Sequence, residues 1–150
     1  MFFSGNPGNN KNCNLCCKQS CLIRVLFACL PDVLCQLDNH YFRGSMFENY
    51  VISEYIKSCF HEGQMPGVYF WKNSTGHEID LLTEEGCQLK AVEIKSGETV
   101  NEEFFKGLKY YKKISSLPDE NCYLVYGGNQ NVTRRHGQVV GWQYISHLRS

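Results

Sequence analysis

Residues 77–95, HEIDLLTEEGCQLKAVEIK, constrain the fold more than any other stretch of the chain. Two runs rich in Ile, Leu and Val flank the tight connection TEEG, which is the pattern of a β-hairpin. Side chains alternate faces along a strand. Glu78 and Asp80 are therefore expected on one face of the first strand, with Ile79 and Leu81 on the other. On the second strand Ala91, Glu93 and Lys95 share a face opposed by Val92 and Ile94. A turn near Glu85 and Gly86 sets Asp80 roughly opposite Val92 or Glu93, which brings the two acids within about 4.5–8 Å.

Two like charges at that separation destabilise a sheet unless something positive lies between them. Lys95 is one candidate and a divalent cation is another. Mg²⁺ takes one or two carboxylates, keeps several waters and accepts phosphate oxygens. A lysine two residues beyond the second acid lies on the same face, about 6.6 Å along the strand. From there it can orient a metal-bound water or neutralise charge on a phosphorus centre. Spacing alone leaves a plainer reading open, since antiparallel strands often line a solvated face with Glu and Lys.

The surrounding chain predicts alternating elements. GSMFENYVISEYIKSCF, 44–60, places Phe47, Val51, Tyr55 and Cys59 at helical spacing with Ile52 and Ile56 beside them, behind a Ser45 cap. GVYFWK, 67–72, is β-branched and aromatic and reads as a strand. TVNEEFFKGLKYYKKI has capping-box spacing at Thr99 and Glu102 and an apolar stripe of Phe104, Leu108 and Tyr111, hence a second helix. NCYLVYGG reads as a fourth strand and QVVGWQYI as a terminal strand or helix. The expected order is α-β-β-β-α-β.

Composition narrows the class. The chain has 150 residues, 43% hydrophobic and 13% aromatic, which suits one domain, or one domain and an arm. Fifteen basic residues balance fifteen acidic ones, so no basic excess argues for nucleic acid, though a local basic groove is compatible. The nine cysteines and the opening MFFSGNPGNN, which carries no basic, apolar secretory pattern, lead us to expect reduced thiols in a cytoplasmic protein. No apolar run is long enough to span a membrane. Cys13, Cys16, Cys17 and Cys21 contain one C-x-x-C pair. A zinc site would pair two such knuckles, so unligated thiols are the expectation.

An acid on one strand followed by (D/E)-x-K on the next resembles the PD-(D/E)XK nuclease superfamily. Asp80 matches the first acid, and Glu93-Ile94-Lys95 the second acid, spacer and lysine. A closer resemblance is to the domain of unknown function at the C-terminus of prokaryotic AAA-type ATPases, with motifs like RG-x-LFEN-x-V-x-E, lyFWR, G-x-EID and (I/V)EIK-s. Here these stand as Arg43-Gly44-Ser45-Met46-Phe47-Glu48-Asn49, Tyr69-Phe70-Trp71-Lys72, Gly76-His77-Glu78-Ile79-Asp80 and Val92-Glu93-Ile94-Lys95-Ser96. The resemblance implies an α/β, restriction-endonuclease-like core over residues 36–150, with a central mixed sheet flanked by helices. Residues 1–35 depart from the family pattern and are expected to be an atypical cysteine-rich arm, disordered or truncated.

The resemblance further implies Mg²⁺ or Mn²⁺ as cofactor, with Asp80, Glu93 and a helix acid as ligands and Lys95 as the catalytic group that positions the attacking water. Glu48, beside the apolar stripe through Val51 and Ile52, is preferred over Glu54, which has Lys57 at i+3 as an ordinary surface partner. Glu48 also suits a first-turn acid with only a structural role. His77 is expected to point away from Asp80. Lys106, Lys109 and Lys113 share a helix face that either is solvated or meets a phosphate backbone, and Arg134 and Arg135 are equally open. No G-x-x-x-x-G-K-[ST] loop occurs, so ATP hydrolysis is not expected of this chain. Two functions follow: metal-dependent hydrolysis of nucleic acid, for which the resemblance admits a homodimer with paired sites, or an inactive module that docks on an ATPase or senses nucleic acid.

Overall fold

The first helix forms because apolar residues recur every three or four positions and have a sheet to cover. In the computed structural model, which describes residues 40–149 except Cys87, this helix is α1, His40–His61. Val51, Tyr55 and Cys59 lie in its buried stripe, with Phe47 and Ile56 partly covered. The helix starts before the expected entry, so Gly44 and Ser45 lie inside it and Ser45 is no cap. The expectations for residues 1–35, including Cys13, Cys16, Cys17 and Cys21, lie outside the described residues.

Six strands follow in one mixed sheet: β1 (Gly67–Lys72), β2 (Glu78–Glu85), β3 (Gln88–Lys95), β4 (Cys122–Tyr126), β5 (Val132–Arg134) and β6 (Gly137–Gly141). Their spatial order is β1-β2-β3-β4-β6-β5. β1, β2 and β3 are antiparallel, whereas β3, β4 and β6 run parallel. Between β3 and β4 the chain crosses over through a 3₁₀ turn, Glu102–Phe105, and α2, Lys106–Ser115. The 3₁₀ turn is capped by Asn101, whose side chain accepts from the Phe104 N–H, and not by Thr99 as the spacing suggested. The helical segment is therefore shorter and later than TVNEEFFKGLKYYKKI implied.

The sheet has a core on each face. α1 and the C-terminal 3₁₀ segment, Trp142–Arg149, cover Leu81, Val92, Ile94 and Val125. On the other face the 3₁₀ turn lays Phe105, and α2 lays Leu108 and Tyr111, over Ala91, Leu124 and Val139. β5 escaped the sequence reading because its three residues are all exposed and carry no alternation. Among the described residues, no helix is long and apolar enough to cross a membrane.

Candidate functional site

The hairpin forms in the expected register, Leu81 against Val92 and Glu85 against Gln88, closed at Gly86 with φ of 61°. Strict alternation fails at one point. β1 residues Tyr69 and Trp71 pair with Leu82 and Ile79, so β2 spends one extra residue across the interval. That is a β-bulge. Its consequence is that Ile79 joins Leu82 in the core under α2, while Leu81 packs beneath α1. The expectation that Ile79 and Leu81 share a face is corrected by this bulge.

Asp80 sits within the bulge, beyond the last ladder pair between β2 and β3. Its Oδ2 accepts the backbone N–H of Ile94 at 2.8 Å, taking the place of a strand carbonyl. The bulge thus turns a strand residue edgewise toward β3. Glu93 and Lys95 project from β3 on the face shared with Ala91 and α2. Lys95 Nζ lies 2.6 Å from Glu93 Oε1 and 3.5 Å from Asp80 Oδ2. The three side chains singled out by the sequence therefore meet at one place. Asp80 and Glu93 are each only 5% exposed.

This meeting is electrostatically lopsided. Two buried carboxylates share one ammonium, and Glu93 Oε2 is buried with no hydrogen-bond partner. Burial first, and the charge of Asp80 second, raise the Glu93 carboxyl to about 7 against the opposing pull of Lys95. For Lys95, burial disfavours the charged form, but Asp80, Glu93 and Glu48 outweigh it and raise the ammonium above its ordinary value. A perturbed acid pair with a named charge partner is the kind of constellation found at functional sites, although structural ion-pair networks also produce it.

Glu48 approaches from α1 closely enough for its charge to act on Lys95, and it is half-buried. It does not complete a trio: among the described residues, no group of three or more His, Cys, Asp or Glu side chains is gathered to hold a metal ion. The donors that do converge are two hard carboxylates. They suit an ion of the magnesium type, which keeps much of its water, and do not suit an all-protein cage.

Sequence reasoning missed the wall beside Glu93. A cavity of about 370 Å³ lies there, bounded by Gly76 and His77 of the β1–β2 turn and by Glu103, Lys106 and Gly107 at the approach to α2. His77 stacks on Tyr110 with ring centres 3.9 Å apart and planes 9° apart, so it frames the cavity and does not join the acid pair. The turn is held by Asn73, whose side-chain oxygen accepts from Thr75 and from the His77 N–H. Of the α2 lysines, Lys109 pairs with Glu102, and Glu54 and Lys57 form the expected surface pair on α1. Arg134, at the end of β5, and His136 of the β5–β6 turn lie near enough to help Lys109 lower the Glu102 carboxyl.

The sequence model of the family described as Domain of unknown function (DUF4143) matches residues 43–145, and the chain belongs to that family. No curated protein and no solved structure matches it significantly.

Proposed function

We propose that this member of the DUF4143 family is a nuclease-type module that hydrolyses nucleic-acid phosphodiesters. Its sheet is then a PD-(D/E)XK-like core, with Asp80 and Glu93 as the residues that would hold Mg²⁺ or Mn²⁺. The observation supporting this is the convergence of two buried carboxylates on a single lysine, with Glu93 Oε2 left without a partner. A purely structural ion cluster gains nothing from a second buried acid that must share a single counter-charge.

A bound divalent ion would supply charge neutralisation at the phosphate and a more acidic water. The residues of the chain supply placement. Asp80 is fixed by the Ile94 N–H, so its carboxylate cannot swing toward solvent. Lys95 has three N–H donors, and the two carboxylates leave donor capacity to orient water or a phosphate oxygen. Water oxygen bonds to phosphorus as the ester P–O bond breaks, and a water proton ends on the leaving oxygen. Glu48 keeps Lys95 charged and is a positioning acid in this scheme. The motif order supports placing the module at the C-terminus of an AAA-type ATP-binding protein in the cytoplasm of a prokaryote, ATP hydrolysis belonging to that partner.

One observation favours a second reading. Lys95 Nζ already bridges Glu93 and Asp80, and a lysine settled between the acids suits an inactive module that docks on the ATPase or senses nucleic acid. Calorimetric titration of Mn²⁺ into wild type and Asp80→Asn separates the two. The nuclease reading expects micromolar binding lost in the variant, with Mg²⁺-dependent cleavage of DNA or RNA abolished by Asp80→Asn and Lys95→Ala in folded protein. Wild type that neither binds Mn²⁺ nor cuts either polymer leaves the docking module.

A further inference from the structure

Glycine at position 107 is out of place by local physics. It lies in the first turn of α2, an amphipathic helix, where glycine is a poorer helix former than alanine. Its backbone is not in the left-handed region that favours glycine. The reason is contact. A Cβ built on Gly107 would lie 2.7 Å from Glu93 Oε2, 2.8 Å from the Glu78 carbonyl oxygen and 3.3 Å from Glu93 Cδ. The first two distances are below what carbon tolerates against oxygen, and the third is tight.

We propose that Gly107 is a positioning residue: its missing side chain forms the slot that holds the Glu93 carboxylate against α2, with Oε1 turned to Lys95 and Oε2 sealed beneath the helix. Three observations converge on this. Oε2 is buried and without a partner. Oε1 makes the 2.6 Å contact to Lys95. Gly107 also lines the cavity that opens beside Glu93. α2 therefore does more than cover an apolar face, because its first turn sets where one carboxylate of the acid pair can sit. A Cβ there must push Glu93 aside or lift the helix off β2. The link to metal binding rests on the nuclease reading, but the slot itself does not.

A double-mutant cycle tests the slot without reference to activity. Gly107→Ala is made in wild type and in Glu93→Ala, and the unfolding constants are measured by urea titration with a chelator present. Part of the penalty survives in the second background, since the Glu78 carbonyl remains. The slot predicts that Gly107→Ala raises the unfolding constant at least tenfold more in wild type than in Glu93→Ala. Equal effects within about twofold, the ordinary scatter of independent sites, overturn it. If Gly107→Ala alone does not fold, folding of the double variant supports the slot and failure of both overturns it. Mn²⁺ titration adds a separate arm: Gly107→Ala is expected to weaken binding at least tenfold. Wild type that binds no Mn²⁺ sinks the nuclease reading and leaves the cycle to decide the slot by itself.

Discussion

The two ends of the β2–β3 hairpin carry buried charge in opposite states of balance. At the turn end, Glu85 receives the Tyr55 hydroxyl at 3.0 Å and Lys90 Nζ at 3.2 Å, and Arg149 Nε stands 3.5 Å away. Lys90 also donates to the Leu148 carbonyl at 2.7 Å, and Arg149 reaches the Ser58 carbonyl, Gln64 and Glu62. Acid and base are matched in number, although Arg149 Nε is itself buried without a hydrogen-bond partner, and the network ties the C-terminal segment to α1 and the hairpin. At the bulge end, Asp80 and Glu93 share Lys95, and one oxygen has no partner. The same hairpin, and the same residue types, thus make a clasp at one end and an unmet demand for positive charge at the other. The difference lies in the count of cations, two for two acids at the turn end and one for two acids at the bulge end.

The largest expected effect breaks the clasp. Glu85→Ala removes the carboxylate that Lys90, whose side chain is 4% exposed, shares with Arg149, leaving Lys90 the Leu148 carbonyl and Arg149 its Glu62 partner. Removing one partner of a buried ion pair costs about 3–5 kcal/mol when the other charge is left uncompensated. With the Glu85 side chain 26% exposed and other contacts kept, the loss expected here is at the lower end of that range. Urea unfolding at neutral pH should show a loss of that size. A loss below about 1 kcal/mol would mean the turn-end charges are solvated, and the contrast between the two ends would fail.

The bulge end predicts the opposite sign. In the folded chain Glu93 titrates near 7, against an ordinary 4.5. The folded state therefore binds more protons than the unfolded state between those values, so stability from this group falls as pH rises through that window. The shift corresponds to up to about 3 kcal/mol. Loss of the Lys95 contact offsets part of it. Glu93→Gln, measured with a chelator present, should match wild type near pH 4.5 and become the more stable protein by pH 8. A variant less stable than wild type at pH 8, with an unchanged pH profile, would make the acid pair a second clasp.

Much of this was legible in the chain. Helical spacing placed Val51, Tyr55 and Cys59 against the sheet, and the hairpin pattern brought Asp80, Glu93 and Lys95 to one neighbourhood. Both signals are local periodicities, which a sequence carries openly. The bulge was not legible, because alternation assumes an unbroken ladder and nothing in HEIDLL marks where the register slips. The clasp was not legible either, since Lys90 and the Leu148 carbonyl are 58 residues apart and only tertiary packing joins them. Gly107 did leave a trace. A glycine within an otherwise apolar-striped helix calls for a packing reason, and that reason lay on β3, in a residue already under suspicion.

The smallest expected effect sharpens what kind of clasp the turn end is. Arg149 contacts groups from α1, the loop after it and the hairpin, meeting Glu62 at 2.8 Å and Gln64 at 2.6 Å through one guanidinium nitrogen and the Ser58 carbonyl at 2.7 Å through another. Arg149→Lys keeps the charge but replaces a planar fork with a compact ammonium that cannot span these acceptors. If charge balance alone held this end together, the substitution would be close to neutral. If geometry matters as well, losing one or two hydrogen bonds to charged or buried groups costs about 1–3 kcal/mol. We expect a loss near the lower end of that range, because Glu85 keeps Lys90. Urea unfolding of Arg149→Lys beside Glu85→Ala then divides the clasp into the part owed to charge and the part owed to the shape of the arginine.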